Sequence, residues 1–201
     1  MKAIDVVLLP AENISNESIA INQQLDNGSG MQQIPLGTKC LPHISLAMGG
    51  LKDEDTDSFF KEVAAITSQF SALNLNYTAI ECHPNDKGEA ISGIAIEENV
   101  ELQKLHEILV CKLESFLKNE VNQEHFHGDE TTNTSSVNWV NEYITKHSFK
   151  QFSPHITLGT GIFSGNFTPQ NSLTNRLAVC HLGNYCTCRE ILFEVELDSI
   201  T

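Results

Sequence analysis

Leu41-Pro42-His43-Ile44-Ser45-Leu46 and Ser153-Pro154-His155-Ile156-Thr157-Leu158 are one string written twice: proline, histidine, isoleucine, hydroxyl, leucine. Side chains alternate between faces along a β-strand. His43 and Ser45 therefore share one face of a predicted strand, with Ile44 and Leu46 on the other. His155 and Thr157 stand in the same way against Ile156 and Leu158. Each apolar face suits a core and each polar face suits a cleft. Set side by side, the two strands bring two imidazoles and two hydroxyls to one site.

Imidazole has an unperturbed pKa of roughly 6.5, so one copy can accept a proton while the other donates one. A hydroxyl two residues along can hydrogen-bond a non-bridging phosphate oxygen and hold phosphorus between the rings. This is equipment for phosphoester chemistry. Neither motif has the carboxylate-rich or thiolate-rich spacing of a metal site, so no metal and no cofactor is assigned.

The paired His-apolar-Ser/Thr-apolar motifs, one in each half of a chain of 201 residues, resemble those of the 2H (two-histidine) phosphoesterase superfamily. That family includes RNA 2′,3′-cyclic phosphodiesterases and proteins called 2′-5′ RNA ligases. The first motif has serine where many relatives have threonine, which keeps the hydroxyl. The resemblance implies His43 and His155 as catalytic acid and base, with Ser45 and Thr157 as phosphate-binding residues. By analogy with relatives, His155 is the base and His43 the acid.

Moving outward, Ile4 to Leu9 reads as a central strand ended by Pro10. A short helix is predicted over Ser15 to Asp26, closed by Asn27-Gly28-Ser29-Gly30. The first motif strand runs from Lys39 to Met48 and stops at Gly49-Gly50. Phe59, Val63, Ile66 and Phe70 make one helical stripe, and Leu102, Leu105, Leu109, Leu113 and Phe116 another, on a helix from Asn99 to Lys118. Leu73 to Ala79 alternates as a strand and pairs with Ala90 to Ile96 across the Pro84–Gly88 turn. Gln123 to Ser136 is polar and reads as an exposed loop. Trp139, Val140, Tyr143 and Ile144 predict a short helix before the second motif, and a loop through Gly161 and Gly165 follows it. Arg176 to Leu182 and Ile191 to Leu197 close the chain as a hairpin.

Each half thus holds a motif strand, a helix and a hairpin. The expected fold is α+β: two pseudo-symmetric lobes of mainly antiparallel sheet with flanking helices around a central cleft. Residues 1–201 read as a single two-lobed domain. This agrees with the fold that the resemblance implies.

The formal net charge is −14, with only Arg176 and Arg189 as arginines. Proteins that grip long nucleic acid through its phosphates display a basic face. The expected partner is therefore a nucleotide or an RNA terminus rather than a DNA duplex, with any positive patch confined to Lys39, Lys150, Arg176 or Arg189. No apolar run approaches the roughly 20 residues of a membrane span, and Asp5 interrupts the apolar start. The expectation is a monomeric, cytoplasmic protein with reduced, mostly buried cysteines. Cys180-His181 with Cys186-Thr187-Cys188 matches no familiar zinc spacing and reads as a hairpin.

Among the other histidines, His125 and His127 read as solvated loop residues and His106 as a helix flank. His83 and His147 lie at element ends, and His181 sits on a face turned to a core. Trp139 reads as core, and Phe152 suits a core position or a nucleobase stack equally. The function expected from the motifs and the resemblance is hydrolysis of a 2′,3′-cyclic phosphate or a 2′-5′ phosphodiester. The rival is a non-catalytic domain that holds an AMP-like nucleotide in the same cleft. RNA ligation is disfavoured, since no nucleotide-activating phosphate loop is present.

Overall fold

The computed structural model describes residues 1–28, 33–85, 87–117, 119–128 and 131–198. The predicted positions Ser29, Gly30, Asp86, Lys118 and Asp129 lie outside them. In chain order the elements are β1 (Lys2–Leu9), α1 (Glu12–Asn22), β2 (Ile44–Leu51), α2 (Thr56–Thr67), β3 (Leu73–Pro84), β4 (Ala90–Ile96), α3 (Val100–Glu114), α4 (Thr134–Lys146), β5 (His155–Thr160), β6 (Gln170–Thr174), β7 (Arg176–Gly183) and β8 (Thr187–Glu196).

The eight strands of the described residues join one curled antiparallel sheet in the order β6-β3-β4-β5-β2-β1-β7-β8. Its middle is narrow: β2 and β5 pair only through Ile44 opposite Ile156. On one side of this seam β5 carries the β3–β4 hairpin and β6, and on the other β2 carries β1 and the β7–β8 hairpin. The two lobes are as expected, but their membership is exchanged. Each motif strand shares its lobe with the hairpin from the other half of the chain.

Local chemistry accounts for the elements. In β1 every residue after Lys2 is buried, as a continuous apolar run in a central strand requires, and Asp5 is buried with the rest. Phe59, Val63 and Ile66 bury the stripe of α2, and Leu102, Leu105, Leu109 and Leu113 that of α3. Asn99 caps α3 by accepting the Leu102 N–H at 2.8 Å, and Asn133 caps α4 by accepting that of Ser136 at 2.7 Å.

Both motif strands carry one extra residue at the same place. Val6 faces Ala47 and Val7 faces Ser45, so Leu46 is a bulge in β2. Ser92 faces Gly159 and Gly93 faces Thr157, so Leu158 is the equivalent bulge in β5. A bulge frees a backbone carbonyl from the ladder, and a buried carbonyl needs a donor. Leu46 O accepts from His106 Nδ1 of α3 at 2.6 Å, and Leu158 O accepts from Asn22 Nδ2 of α1, also at 2.6 Å. The repeat therefore extends beyond the strings to the way each strand is anchored.

Several expectations are corrected. The first helix starts at Glu12 and ends at Asn22, because the Asn22 amide turns inward to Leu158 O and Ile34 O, while Asp26 bridges to Ile162. Gly49 and Gly50 continue β2 instead of ending it; a Cβ would meet Leu117 at 2.7 Å in one case and Val121 at 2.8 Å in the other. Gln170–Thr174 forms β6 although it lacks an apolar run, since its partner β3 supplies the ladder. The 123–136 segment is not wholly an exposed loop: Phe126 and Thr132 are buried, residues 123–125 form a 3-10 turn, and α4 begins at Thr134. Cys82 and Cys111 are exposed, and the hairpin cysteines Cys180 and Cys188 are buried.

His106→Ala and Asn22→Ala should each destabilise the protein by about 1–3 kcal/mol, because each leaves a buried carbonyl without a donor. Urea denaturation beside the wild type measures this. A loss within the roughly 0.5 kcal/mol typical of surface changes would show that the bulge carbonyls do not need these donors.

Candidate active site

The seam sets the geometry. Ile44 and Ile156 face each other across it with both side chains in the core. In antiparallel pairing the flanking residues then cross over, His43 toward Thr157 and Ser45 toward His155, on the opposite face. All four residues expected to form the site are brought together at the meeting of the lobes. Ser45 and Thr157 are half-buried.

Both rings are held in the same manner. His43 Nδ1 lies 2.8 Å from Leu41 O, and His155 Nδ1 lies 2.8 Å from Ser153 O. A carbonyl can only accept, so each Nδ1 carries the proton and each Nε2 presents a lone pair when the ring is neutral. The carbonyl is two residues upstream in both cases, across the proline of the motif. That proline lacks an N–H and restrains the residue before it to extended backbone.

The environments differ. His155 is exposed and has small neighbours on β4, where Ala95 faces it and Gly93 faces Thr157. A Cβ on Gly93 would lie 3.6 Å from His155 Cδ2 and 3.2 Å from Ile156 O, so a larger residue would crowd the ring. The His43 side chain is only 10% exposed and its Nε2 is 3.9 Å from Asp5 Oδ2. Burial lowers its pKa to about 4; the bond to Leu41 opposes this shift and the nearby His155 adds to it.

Asp5 is the residue that pattern reading missed as a member of the site. Its carboxyl is fully buried beneath the motif, and Ser45 Oγ–H donates to Oδ2 at 2.7 Å. Oδ1 has no hydrogen-bond partner of ordinary geometry among the described residues. Burial pushes the Asp5 pKa well up, opposed by the Ser45 hydroxyl and the Ala47 and Leu46 amides. A carboxyl inside an apolar strand was visible as an irregularity in Ile4-Asp5-Val6, but only the β1–β2 register puts it under Ser45.

The remaining residues sort as follows. His106 is not a helix flank: it is buried, accepts the Phe149 N–H at 2.9 Å and donates to Leu46 O, tying the first motif strand and the approach to the second to α3. Phe152 is buried and stacks on His106 with 3.8 Å between ring centroids, so it packs in the core. Trp139 is 41% exposed and stacks on His147 at 3.7 Å, against the expected core position. His181 donates from Nε2 to His125 O at 3.0 Å and lies 3.7 Å from Glu190 by its other nitrogen. Arg176 is held by Glu194 at 2.6 Å. A separate cavity of about 260 Å³ beside α1, lined by Asn22, Leu25, Pro35 and neighbours, has no histidine, carboxylate or thiol among the described residues that line it. No helix among the described residues is long and apolar enough to cross a membrane.

The buried pair carries a signed pH dependence. Asp5 has a raised folded pKa, so its contribution to stability is present below its unfolded value of about 3.8 and is lost as pH rises through the folded one. His43 is opposite: its contribution is present above about 6.5 and is lost as pH falls toward about 4. Thermal melts of wild type and Asp5→Asn between roughly pH 4 and 7 separate the two. The wild type should lose ground on the variant as pH rises. Gain instead would mean that folding does not raise the Asp5 pKa.

No family model and no curated protein matches the chain in sequence. Solved structures do match in fold. The protein TT0787 of Thermus thermophilus aligns at 13% identity over 99% of this chain and 100% of its own, with a TM-score of 0.64. A protein described as a phosphoesterase aligns at 11% identity over 98% of this chain and 99% of its own, with a TM-score of 0.55. Escherichia coli LigT aligns at 10% identity over 98% of both chains, with a TM-score of 0.54, and has been crystallised with phosphate, 3′-AMP and ATP. The fold expected from the paired motifs is the fold observed, and this chain shares it over nearly its whole length with LigT and the Thermus protein.

Proposed function

We propose that this chain is a metal-independent phosphodiesterase of the two-histidine type, acting on 2′,3′-cyclic phosphate or a 2′-5′ phosphodiester of a nucleotide or RNA terminus. The observation that carries the reading is the matched pair of Nδ1 bonds, 2.8 Å each, which leaves two Nε2 atoms for proton transfer. The phosphoesterase among the structural neighbours and the phosphate and 3′-AMP complexes of LigT support the substrate class.

Burial divides the roles. His43, held neutral, takes a proton from the attacking water; the water oxygen forms a bond to phosphorus. The bond from phosphorus to the ribose oxygen breaks on the far side, and His155, open to solvent, protonates that oxygen. This reverses the assignment that the resemblance suggests. Thr157 and Ser45 donate to the non-bridging oxygens as charge develops on them. Ser45 can do so because a neutral Asp5 is able to give its own proton to Ser45 Oγ, freeing the hydroxyl hydrogen for phosphate.

Turnover of 2′,3′-cyclic nucleotides and 2′-5′-linked dinucleotides by purified protein, with products resolved, tests the reading. His43→Ala and His155→Ala should each lose at least about a hundredfold in kcat while melting near the wild type. Ser45→Ala and Thr157→Ala should lose on the order of a hundredfold and retain measurable turnover. Activity should survive EDTA. Saturable nucleotide binding without turnover would favour the non-catalytic rival.

The acid limb of kcat/KM reports the base of the free protein. His43 is competent only when neutral, so the rate should fall as pH drops through about 4, not through the ordinary 6.5. An acid limb well above about 4 in a pH–rate profile would overturn His43 as the base.

A further inference from the structure

One cluster at the foot of the cleft has a donor set that proton transfer does not use. An oxygen of Asp5, a ring nitrogen of His43 and Cys188 Sγ all lie within 4.8 Å of one another, and all three side chains are buried. They come from β1, the start of the first motif and β8, so no spacing along the chain reveals them. The contact is built by β1 pairing with both β2 and β7, and by Leu41 N–H donating to Cys188 O at 3.0 Å.

We propose that Asp5, His43 and Cys188 form a binding site for a thiophilic divalent cation of the Zn²⁺ class. A thiolate, an imidazole and a carboxylate suit zinc and not magnesium or calcium, which take oxygen ligands. Donors around tetrahedral zinc stand about 3.5 Å apart. His43 Nε2 and Asp5 Oδ2 are already at 3.9 Å. Two ligands also have the outer partners that metal ligands use to fix their orientation. His43 donates its other ring nitrogen to Leu41 O, and Asp5 receives the Ser45 hydroxyl on Oδ2 while Oδ1 is left without a hydrogen bond among the described residues. Binding releases the thiol proton of Cys188 and the carboxyl proton of Asp5, giving a dianionic ligand set that the cation neutralises. The cleft leaves the fourth position to water or a phosphate oxygen.

The cation takes the Nε2 lone pair that the proposed mechanism needs on His43. Metal and proton transfer are therefore exclusive, and Zn²⁺ inhibits. This inhibitory consequence rests on the proposed function; the site itself does not.

Titration of the reduced, metal-free protein with Co²⁺ tests the site by spectroscopy alone. The expected result is a thiolate-to-cobalt charge-transfer band, displaced by Zn²⁺, absent from Cys188→Ala and retained by Cys180→Ala, whose thiol is equally buried. No band in the wild type, or a band that survives in Cys188→Ala, overturns the proposal. If Cys188→Ala fails to fold by its melt in the absence of metal, Asp5→Asn supplies the second arm. It should weaken Co²⁺ binding at least about tenfold, and unchanged affinity overturns the assignment. In a turnover assay Zn²⁺ should inhibit the wild type and inhibit Cys188→Ala at least about tenfold less well. Stimulation by Zn²⁺ would overturn the inhibitory claim. Absence of turnover with the band intact would defeat the enzymatic reading and leave the metal site standing.

Discussion

The contact between Ile44 and Ile156 is the constraint on which the site depends. One residue pair joins the two lobes through β2 and β5, and the period-2 alternation of strands does the rest. With both isoleucines in the core, the histidine and hydroxyl on either side of each must face the cleft. A slip of one residue would bury the imidazoles and expose the isoleucines. The fully buried state of Ile44, Leu46, Ile156 and Leu158 makes that slip costly, since each buried aliphatic side chain contributes about 1.5–3 kcal/mol.

Such a short seam does not hold its own register. The bulges at Leu46 and Leu158 bend the strands where they meet, and their free carbonyls are seized by His106 and Asn22 from two different helices. His106 also takes the Phe149 N–H and stacks on Phe152, so one side chain fixes the first motif and the approach to the second. Asn22 similarly reaches both Leu158 O and Ile34 O. The positioning residues are thus buried polar groups held by hydrogen bonds, which rigidify where an unsatisfied group would destabilise.

The approximate symmetry ends at the side chains beneath the rings. Small residues, Gly93 and Ala95, leave His155 open to water. Beneath His43 lie a buried carboxyl and a buried thiol. Two chemically identical side chains in similar backbone settings therefore differ in solvation, and burial lowers the pKa of His43. The same buried carboxyl accepts the Ser45 hydroxyl.

Much of this was legible in the order of residues. The duplicated string, the period-2 alternation in it, the apolar run of β1 and the stripes of α2 and α3 are local patterns, and each became the element expected. The pairing of His43 with His155 and of Ser45 with Thr157 needed only the duplication. Other features depend on contacts between distant segments and have no local signature. Nothing in the order of elements announces that each motif strand takes its hairpin from the opposite half, because adjacent hairpins satisfy the same patterns. Phe152 and Trp139 have similar aromatic character, yet one is buried on His106 and the other lies on His147 near solvent. Asp5, His43 and Cys188 are far apart in the chain and meet only because β1 lies between β2 and β7. The sequence determined which chemical groups face the cleft, since alternation along a strand is a local property. Their ionisation and their neighbours were decided by the tertiary structure, since burial and electrostatics are set by whatever the fold packs beside them.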